Sequence, residues 1–387
     1  MLTADDRPPT TDGRLGRWSA VGRHPSSIIR HKERKTMTSE PLLKVKDLKA
    51  YFPLDEGLVK AVDGVSFDVF PGQVLGIVGE SGCGKSVTMK AILQIIEPPG
   101  RVVAGEILLA PRSQDGGGDG ASVDLAKLKP NSNEMRNIRG ADIALIPQEP
   151  MSSFSPVHSI GSQIIEAIML HQSVKKDEAR TIAVDLLHSV GIPMPEQRID
   201  AYSWQLSGGL RQRAIIAMAL SCHPRLLIAD EPTTAIDVTT QAQILNLLRA
   251  LQRERDTAII FITHDLGVIA QMANDVVVMY LGRVMEKGPV SDIFLSPKHP
   301  YTQALLNSIP SMSSTPRVKL PIISGSIPHP FNRPPGCPFH PRCQDFMAGV
   351  CDQRIPSLQP VGENQFASCF LYHDAEEKPE ALEVASL

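Results

Sequence analysis

Residues 74–86 read VLGIVGESGCGKS. An apolar, largely β-branched run enters a glycine-rich turn, and apolar residues then recur at helical spacing over 87–96, predicting strand, loop and helix. In that setting the G-x-x-x-x-G-K-[ST] pattern of residues 79–86 is a phosphate-binding loop. Its glycines let successive N–H groups turn inward on an anion, and the helix N-terminus adds partial positive charge. Lys85 is expected to reach the β- and γ-phosphates, and the Ser86 hydroxyl to ligate Mg²⁺. Gly79, Ser81, Gly82, Cys83, Gly84, Lys85, Ser86 and Val87 are the candidate nucleotide-binding residues here. Cys83 reads as a small tolerated side chain before it reads as a redox switch.

Outward from the loop, short apolar runs at 74–78, 143–146, 226–229, 258–262 and 276–279 alternate with segments of helical period. That rhythm predicts an α/β unit, a mostly parallel sheet covered by helices, between residue 42 and about 290. Between Ser159 and Leu220 the strand pattern stops, predicting a helical insertion at about 150–222. GGGDG at 116–120 reads as a flexible loop. No internal repeat is present, so the chain carries one such unit. Thirteen prolines between Pro297 and Pro360 mark a C-terminal extension with few regular elements. Residues 1–38 hold eight Lys/Arg against four Asp/Glu and no apolar periodicity, the composition of a disordered basic arm; Met37 is a candidate true start. The expected partition is an arm (1–38), a nucleotide-binding α/β domain (39–298), an extension (299–373) and a flexible acidic tail (374–387).

The 387 residues carry 39 Lys plus Arg against 42 Asp plus Glu, a net charge of −3. Such a balance exerts no global attraction on nucleic acid or an anionic membrane. No apolar run approaches the roughly 18–20 residues of a membrane span, and no secretory h-region opens the chain. The chain is therefore expected to be neither secreted nor membrane-spanning. Four of its six cysteines fall in the last 51 residues. In a cytosolic chain such a cluster suggests metal before disulfides.

LSGGLRQR (206–213) opens an apolar-periodic helix, and LLIADEP (226–232) follows it. Here the sequence resembles the nucleotide-binding subunits of ATP-binding cassette (ABC) transporters, with LSGG as their signature and LLIADE as their Walker B strand. In the same order Gln148 in IPQEP resembles the Q-loop, Asp237 in TTAIDV the D-loop and His264 in ITHD the switch histidine. Phe52, with Tyr51 as alternative, sits where the family stacks an aromatic ring on adenine. The resemblance, over about residues 42–290, implies a RecA-like P-loop domain with an antiparallel β subdomain and the helical subdomain. It implies Mg²⁺ held by Ser86, Gln148 and Asp230, and Glu231 with His264 as the catalytic pair. Glu231 would polarise the attacking water. Ser207, Gly208 and Gly209 form a second anion site at a helix N-terminus, which the resemblance assigns to the ATP site of a second, head-to-tail subunit. Ile236 stands where the family usually has Leu and is expected only to adjust packing.

Neither a heptad run, nor a second cassette, nor a fused span is present, which leaves a separate subunit docking on membrane partners, as in importers. EPMSSFSPVHSIGSQ after Gln148 resembles the DPMTSLNP-like segment of dipeptide, oligopeptide and nickel importers, with Glu149, Phe154 and Ser155 departing from it. HPYTQALL (299–306) looks like the start of that subfamily's C-terminal extension. The kinship implies two transmembrane permease subunits, a second related ATPase and an extracytoplasmic binding protein as partners, no nucleic acid, and a place on the cytoplasmic face of the cell membrane. The competing expectation is a soluble ATPase with a regulatory or assembly role, which co-purification with two multi-span proteins would exclude.

Cys337, Cys343, Cys351 and Cys369 are separated by five, seven and seventeen residues. Four thiolates suit a [4Fe–4S] cluster, whereas structural zinc favours close C-x₂₋₄-C pairs, which these are not. GCPFHPRC (336–343) also resembles the extension of peptide-importer ATPases, some of which hold such a cluster. Zinc and unoccupied thiols remain the alternatives, and His340 reads as a polar loop residue.

Overall fold

The computed structural model describes residues 40–112, 121–149, 153–234, 236–309, 323 and 325–372. The expected basic arm, the GGGDG loop and the acidic tail lie outside the described residues. The first two strands, β1 (Leu43–Leu54) and β2 (Gly57–Val69), form a long antiparallel hairpin. In β1 the buried positions are Leu43 and Val45, then Leu48 and Ala50. A register irregularity between Val45 and Leu48, with Asp47 at φ 44°, shifts the alternation by one residue and keeps both pairs on the core side.

Strand β3 (Val74–Val78) is buried at every position and leads into α1 (Lys85–Ile92). The helix expected over 87–96 thus begins two residues earlier and ends four earlier. Gln94 adopts φ 51°, and the Pro98–Pro99 pair beyond it cannot continue a helix. Strands β4 (Arg101–Leu109) and β5 (Val123–Asp124) complete an antiparallel sheet of order β2-β1-β4-β5. This is the expected antiparallel β subdomain.

After α2 (Asn133–Ala141) and β6 (Ile143–Ile146) the described residues include the helices α3 (Ile160–His171), α4 (Lys176–Ser189), α5 (Pro195–Arg198) and α6 (Gly208–Leu220). They are the expected helical insertion. Ser159 and Ser207 accept N-capping bonds that start α3 and α6. Strand β7 (Leu226–Asp230), α7 (Val238–Arg255), β8 (Ala258–Ile262), α8 (Leu266–Met272), β9 (Asp275–Tyr280) and β10 (Arg283–Pro289) return to α/β rhythm. Helices α9 (Val290–Leu295) and α10 (Pro300–Asn307) and the two-residue strands β11 (Gln359–Pro360) and β12 (Phe366–Ala367) follow. The large sheet has order β11-β12-β10-β9-β3-β8-β7-β6, parallel from β9 to β6. Strands β3, β7 and β8 are buried throughout because both faces are covered.

Two apolar clusters lie on the two faces of that sheet. Strand β3 sends Val74 and Val78 into one, with the insertion helices, α7 and α8, and Leu75 and Ile77 into the other, with α1 and the small sheet. The Pro-rich extension has few regular elements, as expected, yet it joins the sheet through β12 on β10 and places Tyr301, Cys337, Phe339 and Cys351 in the first cluster. Glu286 on β10 is fully buried and anchors it, accepting bonds from the Lys298 N–H (2.8 Å), the His299 N–H (2.9 Å) and the Gln365 side chain (2.8 Å). Burial pushes its carboxyl pKa up despite these donors. No helix among the described residues is long and apolar enough to cross a membrane.

Phe339 is 1% exposed and packs on Tyr280, Tyr301 and His299. Phe339→Ala is expected to cost about 3–5 kcal/mol, measured by denaturant unfolding, because a rigid ring wall cannot collapse into the cavity.

Candidate functional site

Two glycines force the shape of the loop between β3 and α1. Gly79 has φ 153°, and a Cβ there would strike the Met279 carbonyl; Gly84 has φ 99°, and a Cβ there would strike the Ala61 carbonyl. The loop therefore lies directly against β9 and β2, and the Gly282 N–H donates to the Cys83 carbonyl at 2.9 Å. Ser81 and Gly82 are exposed at its rim, while Cys83 is buried, its thiol pKa raised by that burial. Lys85 curls back, its Nζ donating to the carbonyls of Gly79 (2.8 Å) and Glu80 (3.0 Å) with Cys83 Sγ at 3.6 Å. The ammonium is thus already held over the concavity of the loop. Val87 packs its side chain into the second apolar cluster, which leaves only its backbone at the helix N-terminus to face a ligand.

Asp230 ends β7 beside α1, and its carboxylate is hydrogen-bonded by Ser86. Burial raises its pKa, with the neighbouring Glu231 charge adding to the effect. Its Oδ1 is buried and has no hydrogen-bond partner. An orphaned carboxylate oxygen next to a hydroxyl fits a hard cation that takes its remaining ligands from phosphates and water.

Glu231 follows in a left-handed conformation, φ 47°, pinned by its N–H to the Ile262 carbonyl at 2.9 Å. Three side chains converge on its carboxylate. Thr234 Oγ1 donates to Oε2 (2.9 Å), Gln148 Nε2 donates to Oε2 (3.1 Å), and His264 Nδ1 lies 3.3 Å from Oε1. Burial pushes the carboxyl pKa up, but the Thr234 and His264 bonds, with the His264 and Lys85 charges, outweigh it and hold the group below its ordinary value. An ionised, oriented carboxylate can polarise water. Gln148, expected at the metal, is here the link between its own loop and Glu231. Thr234 was not singled out from the sequence, although it lies only three residues beyond Glu231.

The LSGG residues form a different exposed feature. Ser207 N-caps α6, its Oγ accepting from the Leu210 N–H at 3.4 Å, and both Ser207 and Gly208 are exposed. A Cβ on Gly208 would meet nothing, whereas one on Gly209 would press on Thr240. The helix starts without an acidic residue in its first turn, which leaves its N-terminal N–H groups suited to an anion. Asp237 N-caps α7 by accepting from the Thr240 N–H at 2.9 Å. Ile236 is partly buried against the first cluster. Tyr51 commits its hydroxyl to Asp63 at 2.7 Å, a carboxylate also held by Arg283 and Arg333. Phe52 is half-buried with its ring against Gly100.

All four late cysteines line one pocket, with Phe339 and Met347 in its walls, and all four are free thiols. Burial pushes the pKa of Cys337 up to about 12 and of Cys369 up to about 11. Backbone N–H groups of Phe339, Asp345 and Leu371 nevertheless bond to the sulfurs of Cys337, Cys343 and Cys369, each two residues on. Sulfurs that are desolvated yet supplied with N–H donors are suited to thiolates compensated by a metal centre. Among the described residues no group of three or more His, Cys, Asp or Glu side chains is placed to hold a single metal ion. His340 turns its Nδ1 to the Cys337 carbonyl at 2.9 Å.

Residues 62–234 match the model of the ABC transporter family, and residues 285–351 match that of the oligopeptide/dipeptide transporter C-terminal region. The dipeptide transport ATP-binding protein DppD of Bacillus subtilis is 45% identical over 333 residues, 86% of this chain and 95% of that protein. The oligopeptide transport ATP-binding protein OppD of the same organism is 46% identical over 344 residues, covering 88% and 92%. Among solved structures, the dimeric bacterial ABC transporter cassette MJ0796 superposes with a TM-score of 0.55 at 24% identity, covering 64% of this chain and 98% of that one. CbiO1 of Clostridium perfringens, part of the CbiONQ transporter complex, gives 0.52 at 26% identity, covering 67% and 92%. The α/β cassette fold expected from the motifs is thereby established.

Glu231→Gln preserves the bond to Thr234 but removes the charge. It is expected to retain ATP binding while lowering turnover by about 10²–10⁴-fold, measured by steady-state phosphate release alongside nucleotide titration. Wild-type hydrolysis in this variant would remove Glu231 from the reaction.

Proposed function

We propose how this chain works from a plain premise: it belongs to the ATP-binding subunits of ABC transporters for dipeptides and oligopeptides. It is an ATPase subunit that energises import of di- or oligopeptides through such a transporter. The observation that carries this is the joining, in one chain, of a phosphate loop facing Asp230 and Glu231 to a C-terminal region of the oligopeptide/dipeptide transporter type.

In this reading Lys85 leaves the Gly79 and Glu80 carbonyls for the β- and γ-phosphates, and Phe52 stacks on the base. Gly79, Ser81, Gly82, Cys83, Gly84, Ser86 and Val87 offer backbone N–H groups to the phosphates. Ser86, Asp230 and Gln148 would hold Mg²⁺, which supplies charge neutralisation at the β- and γ-phosphates. Glu231 orients water and accepts its proton, with Thr234 and His264 fixing the carboxylate. Ser207, Gly208, Gly209 and Asp237 act across a head-to-tail dimer, where the exposed N-terminus of α6 meets the nucleotide of a second, related ATPase subunit. The dimeric state of the MJ0796 cassette supports this arrangement. Exposed apolar groups on the helical insertion, Val157, Leu170 and Trp204 among them, suit docking on two membrane permease subunits at the cytoplasmic face. The extracytoplasmic binding protein acts through the same complex.

The domains divide at about residue 298, and the extension holds a [4Fe–4S] cluster on Cys337, Cys343, Cys351 and Cys369. The shared pocket and its N–H···S bonds support this assignment. The cluster would supply a cross-link for a segment too poor in core to fold firmly alone.

Deletion of the gene is expected to abolish uptake of labelled di- and oligopeptides, with rescue by the wild-type chain and not by Glu231→Gln. Retained uptake in the deletion strain would sink the transport reading. Separately, anaerobically purified protein should contain about four iron and four acid-labile sulfide per chain, with both lost in Cys369→Ser. Stoichiometric zinc without sulfide would replace the cluster by a zinc site.

A further inference from the structure

Glu80, the second residue of the phosphate loop, is held at three points. Its carbonyl accepts from Lys85 Nζ at 3.0 Å, its N–H donates to the Tyr301 hydroxyl at 3.0 Å, and its carboxylate takes both arms of Arg342, at 2.7 and 3.0 Å. Tyr301 and Arg342 both belong to the extension, and Arg342 lies 262 residues along the chain from Glu80. The Arg342 side chain is 4% exposed and that of Glu80 21%. Arg342 also donates to the Tyr280 hydroxyl at 3.2 Å and lies over that ring, which packs in turn on Tyr301 and Phe339. The Arg342 N–H bonds to the Phe339 carbonyl at 2.9 Å. A bidentate guanidinium fixed this way has one geometry.

The placement has an electrostatic consequence. A carboxylate within the phosphate loop repels a triphosphate at short range, and partial burial weakens the water screening that would mute the repulsion. Arg342 neutralises that charge. The buried Tyr301 hydroxyl takes up the Glu80 N–H and so removes it from the donors left to face phosphate. The Glu80 carbonyl meanwhile fixes where the Lys85 ammonium waits.

We propose that Arg342 is a positioning residue for the nucleotide site: with Tyr301 it straps Glu80, so the charge and shape of the phosphate loop depend on the cysteine-rich extension. The inference rests on the reading of residues 79–86 as the nucleotide loop. It gives the extension a part in ATP affinity, distinct from any contact with the transported solute.

The test is titration of the full-length chain with Mg–ADP, alongside thermal unfolding of the nucleotide-free protein. Arg342→Met strands the Glu80 charge and is expected to weaken binding on the order of tenfold. Arg342→Lys keeps the charge but not the fork and should weaken it about fivefold. Removing the repelling charge as well, in Glu80→Gln/Arg342→Met, should return binding to within about twofold of wild type. A purely structural role for Arg342 would leave the double variant as weak as the single one, and that result overturns the proposal, as does wild-type affinity in Arg342→Lys or Arg342→Met. If Arg342→Met does not fold, the other two variants decide. Lys85→Ala is the separate control: undiminished binding there would reject the nucleotide-loop reading itself, whatever Arg342 does.

Discussion

A phosphate-binding loop must keep backbone N–H groups unspent and pointed at empty space, and a short chain segment does not hold that shape by itself. Everything around residues 79–86 bears on this constraint. Gly79 and Gly84 adopt angles that L-residues disfavour and lie where a side chain would collide with Met279 or Ala61. Strand β3 is locked between parallel neighbours on both sides, so the loop leaves a rigid edge. The Gly282 N–H and the Tyr301 hydroxyl then fix the Cys83 carbonyl and the Glu80 N–H of the loop.

The same sheet sets the distance between binding and chemistry. Strands β3 and β7 are separated by β8 alone, so α1 and the end of β7 approach each other, and Ser86 reaches Asp230. Glu231 leaves the sheet one residue later in a left-handed turn, which aims its carboxylate toward Gln148 from one loop and His264 from another. Two adjacent acids therefore end in different electrostatic states. Asp230 is pushed up by burial and holds an unpartnered oxygen; Glu231 is held down by donors. One is suited to a cation, the other to water.

The extension is less of an appendage than its composition suggests. Its regular structure is slight, but His299, Tyr301 and Phe339 are buried, and β12 pairs with β10, whose buried Glu286 holds the start of the extension. Proline-rich segments bury little apolar surface per residue, so one ring cluster is joined by polar fixed points: three donors on one buried carboxylate and the Arg342 fork. The cysteine pocket adjoins this same set of contacts, because Phe339 lines it and Arg342 directly precedes Cys343.

The strand, loop and helix around Lys85, the order of the α/β elements and the helical insertion were all legible in the sequence, and Glu231 and His264, named there as a pair, stand 3.3 Å apart. Local pattern carries such features: periodicity reports burial on one face or two, and glycine spacing reports backbone angles. The end of α1 was misjudged because apolar period continued past Ile92, while the chain had already turned at Gln94. The four cysteines, expected at one site, do line one pocket, whereas Thr234 was not singled out. Glu80, Tyr301 and Arg342 each lie in a stretch the sequence singled out, but nothing local tied them to one another. Sequence by itself named the candidate residues for the chemistry, because side-chain type and near-neighbour spacing are local. The tertiary structure decided which distant residues hold them in place, because burial and charge pairing between segments 262 residues apart exist only once the sheet has brought them together.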